Sequence, residues 1–108
     1  MYRSHNCGEL RIKHVGQEVK LSGWIHKIRD KGSLIWIDLR DRYGITQIIV
    51  DTNESSKNLV EQVKKVGREY VISVKGMVKE RESKNPNIGT GDVEITLLEI
   101  EILNKSEV

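Results

Sequence analysis

The sequence has 108 residues, with 18 Lys and Arg against 16 Asp and Glu, a formal net charge of +2, and 37% apolar residues. These values describe one small folded domain, and the near-neutral charge does not by itself indicate a nucleic-acid partner. No apolar run approaches the roughly 20 residues of a membrane span, and the first residues lack the apolar core of a signal peptide, so we expect a cytoplasmic protein with no membrane partner. Cys7 is the only cysteine, which excludes an internal disulfide.

Three strands are predicted in the first half of the chain. Residues 18–29 and 34–40 carry apolar side chains at alternate positions, and residues 45–51 form a β-branched run. The link at residues 41–44 is short and ends in glycine, so the second and third strands are predicted to form a hairpin.

One helix and two further strands are predicted in the second half. Helical spacing of apolar residues indicates a helix over 56–66, with Gly67 as its C-terminal stop. Alternation resumes over residues 69–80 and 92–103, separated by a loop with the only proline. The apolar parity of the last strand slips near its middle, which predicts a β-bulge or a strand that bends around a barrel corner.

This order of elements predicts an all-β protein with one short helix. A helix between strands three and four of a five-stranded chain of this size matches the Greek-key barrel called the OB-fold, with the barrel over residues 15–103 and an N-terminal extension over 1–14. A closed barrel also removes the exposed edges of a short open sheet. A generic five-stranded sheet with one helix is the alternative.

No catalytic or metal site is predicted in this segment. The sequence contains none of the usual hydrolase, nucleotide-binding or metalloprotease motifs. Its three histidines do not have zinc-ligand spacing with Cys7, and we expect His5 and Cys7 to be packing or hydrogen-bonding residues. The carboxylate pair Asp38 and Asp41 is expected on a solvated face.

An aromatic residue on a polar strand face is the most informative feature. Trp36 shares its parity with Asp38 and Arg40, while three apolar residues occupy the opposite face. A large ring on a polar sheet face is a stacking platform for single-stranded nucleic acid, and the alternative is a ring packed under a loop. Phosphate contacts are predicted from nearby cations, namely Lys27, Lys31, Arg40 and Arg42, with Arg29 beside them.

Two polar residues extend this hypothesis. Gln47 lies in an otherwise apolar strand, where an amide can read a base edge or simply face solvent. Glu94 occupies the outward parity of the last strand, where it is either a plain surface charge or a carboxylate that accepts hydrogen bonds from a base.

Three stretches resemble the N-terminal region of bacterial-type aspartyl-tRNA synthetases: RSHNCGEL at 3–10, the segment from HVGQEV to QIIVD at 14–51, and KNPNIGTGDVEI at 84–95. Asparaginyl and lysyl enzymes share the fold with weaker motif agreement. The resemblance implies an OB-fold that binds the anticodon stem-loop of aspartate tRNA. It also implies that the full-length protein is a class II aspartate–tRNA ligase, a homodimer that uses ATP and Mg²⁺. In such a protein, residues 104–108 would be the start of the hinge that follows this domain.

The resemblance also assigns roles to individual residues. Trp36, where the family usually has phenylalanine, would stack on the middle anticodon base, which Arg29 and Gln47 would contact. Glu94 would read the first, guanine-type base, and Asn85 would lie near the third. Family contacts also fall on two positions of the last loop, Arg81 and Asn87. The rival hypotheses are a general single-strand-binding module and a protein-interaction barrel with Trp36 as a contact.

Overall fold

The computed structural model describes residues 3–105. A short 3-10 turn (Ile12–His14) precedes five strands and one helix. Their bounds are β1 Glu18–Asp30, β2 Leu34–Asp41, β3 Gly44–Asp51, α1 Lys57–Val63, β4 Val71–Glu80 and β5 Val93–Asn104. Within this part of the chain, no helix has the length and apolar character needed to cross a bilayer.

The five strands close into a barrel in the order β1-β2-β3-β5-β4, with β4 pairing back onto β1. Every pairing is antiparallel except that of β3 with β5, which is parallel. The helix α1 connects β3 to β4. The predicted all-β OB-fold barrel is therefore confirmed, and the alternative of a generic five-stranded sheet with one helix is wrong.

Irregular pairing bends the long strands around the barrel. The register of β1 with β2 shifts between Ile25 and Lys27. The register of β4 with β5 shifts between Lys75 and Gly76, which leaves Leu98 without a register partner and exposed. The predicted bulge in the last strand is confirmed, because the extra residue moves the apolar parity from one side of the strand to the other.

The N-terminal segment is part of the core rather than an appendage. Cys7 and Leu10 are completely buried in the same apolar cluster as the strand residues. The backbone N–H of Cys7 donates to Asp41 Oδ2 at 2.8 Å, and Thr46 Oγ1 donates to the Cys7 carbonyl at 2.7 Å. The other oxygen of Asp41 accepts the backbone N–H groups of Tyr43 and Gly44. The expectation that Asp41 is solvated was wrong, because this carboxylate holds the segment and the hairpin turn together.

The helix is shorter than the sequence predicted. Ser56 is its N-cap and accepts the backbone N–H of Leu59 at 3.1 Å. It ends at Val63, the second of its two buried residues, and Val66 packs against the core outside the helix. The predicted role of Gly67 as the helix stop was wrong. The hinge predicted at 104–108 falls partly on Asn104, which belongs to β5, while residues 106–108 lie outside the described residues.

Candidate nucleic-acid interface

A cleft on the outer face of the barrel is lined by Trp36, which is half-buried, while its neighbours Ile35 and Ile37 are fully buried. This confirms that the ring lies on the face opposite the core. The cavity has a volume of about 680 Å³. We call it the Trp36 cleft; five predicted base-contacting residues line it, namely Arg29, Trp36, Gln47, Arg81 and Glu94.

The barrel pairing places Arg29 beside the ring. Arg29 of β1 is the register partner of Trp36 on β2, and its guanidinium carbon lies 5.2 Å from the ring centroid. This separation corresponds to a cation–π contact. The contact fixes the Arg29 side chain at the edge of the cleft, where it also lines the neighbouring depression.

Gln47 and Glu94 form a buried polar pair in the wall of the cleft. Parallel pairing of Ile48 with Ile95 brings the two preceding residues side by side. Gln47 Nε2 donates to Glu94 Oε1 at 2.8 Å, and the residues are only 6% and 7% exposed. The alternatives of a solvent-facing amide at Gln47 and a plain surface charge at Glu94 are therefore both wrong.

Lys79 completes this pair and was not predicted from the sequence. Its Nζ lies 3.5 Å from Glu94 Oε2, because Lys79 on β4 is the register partner of Glu94 on β5. No sequence motif marks this lysine. Only the pairing of β4 with β5, which the sequence does not specify residue by residue, shows it.

The charges around the cleft are mixed. Three basic residues are balanced by four acidic ones; the lining charged residues are Arg29, Lys79 and Arg81 with Asp51, Glu80, Glu82 and Glu94. Such a surface attracts a polyanion weakly. It can, however, distinguish bases by the direction of their hydrogen bonds, because donors and acceptors lie close together.

A second depression, the Asn85 pocket, adjoins the cleft and shares Arg29, Gln47 and Arg81 with it. It has a volume of about 550 Å³. The Asn85 backbone N–H donates to the Gly91 carbonyl at 2.9 Å, and its side-chain oxygen accepts the Asn87 N–H at 3.0 Å. A side chain at Gly91 would overlap the Asn85 carbonyl, so glycine is required for this loop conformation.

The remaining predicted residues are dispersed. Asn87 is exposed and lines neither the Trp36 cleft nor the Asn85 pocket, while Lys27 lines the Asn85 pocket. Lys31 lies in the turn between β1 and β2, outside both depressions. Arg40 and Arg42 line a third depression with Tyr43. The structure thus gathers six of the predicted base-contacting residues, but only one of the four predicted phosphate contacts.

The described residues contain no group of three or more His, Cys, Asp or Glu side chains that could hold a metal ion. His5 and His14 instead contact each other edge to face, with ring centroids 5.2 Å apart. Cys7 is buried, as expected for a packing residue. Burial, together with the Asp41 carboxylate, raises the pKa of the Cys7 thiol well above its ordinary range.

Known proteins resemble this chain in sequence. The tRNA anticodon family model, described as an OB-fold nucleic acid binding domain, matches residues 19–103. An aspartate–tRNA ligase of Flavobacterium psychrophilum is 58% identical over 98% of the chain, and one of Amoebophilus asiaticus is 53% identical over 99%. The chain spans 18% of the length of each of these relatives.

Solved structures share the fold. An OBody bound to hen egg-white lysozyme has a TM-score of 0.87 and 28% identity, covering 98% of this chain and 97% of that one. Asparaginyl-tRNA synthetase from Pyrococcus horikoshii complexed with asparaginyl-adenylate has a TM-score of 0.82 and 29% identity. That match covers 98% of this chain and 23% of the synthetase.

Proposed function

The chain belongs to the family of OB-fold nucleic acid binding domains, and we propose that it is the anticodon-binding domain of an aspartate–tRNA ligase. The observation that carries this proposal is the Trp36 cleft, in which an aromatic ring, two guanidinium groups and the buried pair of Gln47 and Glu94 converge. The names of the similar relatives support aspartate as the amino acid that the ligase attaches. The domain supplies recognition and performs no chemistry.

Stacking on Trp36 provides the affinity. An unstacked base of the anticodon lies on the exposed part of the ring, and such stacking is worth about 1–3 kcal/mol per base. We assign the middle base, a uridine, to this position. Arg29 and Gln47 border the same cleft, so both can reach the edge of that base.

Glu94 provides selection at the first base. A guanine presents two adjacent N–H donors on its Watson–Crick edge, and a carboxylate can accept both, whereas a base with an acceptor at the same position would be repelled. The hydrogen bond from Gln47 and the ion pair with Lys79 hold the carboxylate in place. Asn85, Asn87 and Arg81 lie on or beside the loop over residues 81–92, where we place the third base.

The remaining steps belong to the parent enzyme. We propose that the full-length protein is a class II ligase, a cytoplasmic homodimer, which uses ATP and Mg²⁺ to activate aspartate and attach it to tRNA. We assign ATP and Mg²⁺ to the part of that protein that lies outside this chain.

Binding to matched RNA hairpins tests the proposal. We expect the chain to bind a stem-loop with anticodon GUC more tightly than the same stem with a scrambled loop of identical composition. Equal affinity for both loops would identify a general single-strand-binding module. Absence of RNA binding at low salt would favour a protein-interaction barrel and would refute the proposal.

A further inference from the structure

The third depression is an arginine-lined cavity at the end of the barrel where the β2–β3 hairpin turns. It has a volume of about 500 Å³ and is lined by Arg11, Arg40 and Arg42 together with Tyr43 and the loop over residues 88–90. All three arginines and Tyr43 are exposed. We call it the arginine cavity.

The positive charge of this cavity is not neutralised by the protein. Within residues 3–105, none of the three arginines forms an ion pair with a carboxylate. The one carboxylate in the lining, Asp41, accepts three backbone N–H groups and pairs with Arg3 at 3.6 Å. The cavity therefore presents net positive charge to any ligand.

The walls of the cavity are held in place before any ligand binds. Arg11 Nη1 donates to the carbonyls of Gly8 and Leu10, both at 2.9 Å, which fixes its guanidinium group against the loop at Gly89. Asp41 holds the turn that carries Arg42 and Tyr43, and the Arg42 guanidinium lies 5.2 Å from the Tyr43 ring centroid. Because Arg11 and the turn that carries Arg42 are already held, less conformational entropy is lost there on binding.

The cavity is continuous with the candidate base-binding surface. It shares Ile45 and Ile88 with the Asn85 pocket, which in turn shares Arg29, Gln47 and Arg81 with the Trp36 cleft. The three depressions form one track across the barrel. At one end of the track the charges are mixed, and at the other end they are basic.

From this arrangement we propose that the arginine cavity binds backbone phosphates of the same RNA whose bases occupy the Trp36 cleft. The proposal rests on the function proposed above and adds a second contact region to it. Planar guanidinium groups pair well with phosphate oxygens, and three of them without carboxylate partners suit a phosphodiester strand. These contacts carry no base information, so they add affinity and leave discrimination to the cleft.

The test is the salt dependence of binding to the GUC stem-loop. In the double variant Arg40→Gln and Arg42→Gln, each lost phosphate contact reduces the slope of log K against log salt by about 0.7–0.9. We expect a reduction of about 1.4–1.8 and an unchanged affinity ratio between the GUC and scrambled loops. Arg11 is left intact because it also holds the backbone of the N-terminal segment.

A control variant with the same charge change is Lys64→Gln and Lys65→Gln, two exposed residues directly after α1 and outside the three depressions. Its slope should equal that of the wild type. An unchanged slope in the arginine variant, with discrimination retained, would overturn this proposal alone. If the wild type itself bound the GUC and scrambled loops equally, the proposed function would instead be refuted.

A second arm separates RNA phosphates from free phosphate. Inorganic phosphate is titrated into the unliganded chain at constant ionic strength, with calorimetry as the readout. We expect no saturable binding of free phosphate, because the cavity is open and continues along the path proposed for the RNA strand. Saturable binding that the arginine variant loses would assign the cavity to the free ion and overturn its assignment to RNA.

Discussion

Gln47 donates its side-chain N–H to the carboxylate of Glu94 at 2.8 Å, and both side chains are almost fully buried in the wall of a cleft that otherwise opens to solvent. A buried carboxylate needs polar partners, and here Gln47 supplies a hydrogen bond and Lys79 an ion pair from the two strands next to β5. The pairing gives the cleft a fixed acceptor. This acceptor is the basis of the base selection proposed here.

The negative charge on Glu94 should control binding of a loop whose first anticodon base is guanine. Glu94→Gln keeps the size of the side chain and can still bond to Gln47, so the barrel should remain folded. Binding of the GUC stem-loop should weaken by about 1.5–3 kcal/mol, the usual value for a hydrogen bond to a charged group. A loop whose first base is adenine should be affected much less, as measured by competition binding.

The matched control for this variant is Glu99→Gln. Glu99 is an exposed carboxylate that pairs with Lys75 at 3.9 Å and lies outside the Trp36 cleft. The Glu99→Gln variant should bind the GUC loop as tightly as the wild type does. If Glu94→Gln retained the full preference for guanine, the assigned role of Glu94 would be wrong.

Asp41→Asn should destabilise the fold without any direct effect on the cleft. The carboxylate accepts three backbone N–H groups, from Cys7, Tyr43 and Gly44, and an asparagine cannot accept all three because one of its side-chain atoms is a donor. An unsatisfied buried donor costs about 1–3 kcal/mol. Urea unfolding measures this loss.

The exposed turn after β1 offers a carboxylate for comparison with Asp41. Asp30 accepts one backbone N–H, from Gly32, at 2.8 Å on the surface. Asp30→Asn should therefore cost clearly less than Asp41→Asn. Equal losses for the two variants would show that the buried carboxylate does not hold the N-terminal segment as described.

The buried thiol of Cys7 should make the free energy of unfolding depend on pH. Burial and the nearby Asp41 carboxylate raise the thiol pKa in the folded state, so the folded protein keeps the proton longer than the unfolded chain does. The resulting stability is fully present below the unfolded pKa and is lost as the pH rises above it. With an unfolded pKa of about 8.5, the loss at about pH 10 is about 2 kcal/mol.

This loss is measured by urea unfolding at neutral and alkaline pH in the wild type and in Cys7→Ala. The variant should lose less stability than the wild type over the same range, since it has no thiol to ionise. Alkylation of Cys7 should also be slow in the folded protein and rapid in urea. Equal pH dependence in the two proteins would contradict the burial of the thiol.

RNA binding should depend only modestly on salt. The net charge is +2, and the Trp36 cleft contains more acidic than basic residues. With about five phosphate contacts or fewer, the slope of log K against log salt should be no steeper than about −4.5. Affinities measured over a series of potassium chloride concentrations give this slope, and a value near −10 would indicate a binding mode dominated by charge.

Local sequence pattern predicted the strands of the barrel well, because alternation and turn residues report directly on strands. It also placed Trp36 on the correct face, since parity along one strand needs no knowledge of the partner strand. The environment of Glu94 could not be predicted in the same way. Its burial depends on the parallel pairing of β3 with β5, which joins Gln47 to a residue 47 positions away.

The same limit applies to the cations. Arg40 and Arg42 alternate along β2 and its turn, so the sequence suggested that they lie with Trp36. The strand is long enough, however, to carry them beyond the Trp36 cleft and into the arginine cavity. Distance along a strand therefore matters as much as parity in predicting which residues share a site.

Stacking of Trp36 on the middle anticodon base is tested most directly by comparing two proteins and one control variant on two RNAs. The proteins are the wild type and Trp36→Ala, and the RNAs are the GUC stem-loop and the same loop with its middle base changed to adenine. Trp36→Phe, which keeps a stacking ring, is the matched control. Binding is followed by competition against a labelled stem-loop, so that the readout does not depend on tryptophan fluorescence.

We expect the wild type to prefer the GUC loop, Trp36→Phe to retain that preference, and Trp36→Ala to lose about 1–3 kcal/mol of binding to the GUC loop together with most of the preference. If Trp36→Ala bound both loops as the wild type does, the ring would not be the anticodon platform and the proposed mechanism would be contradicted.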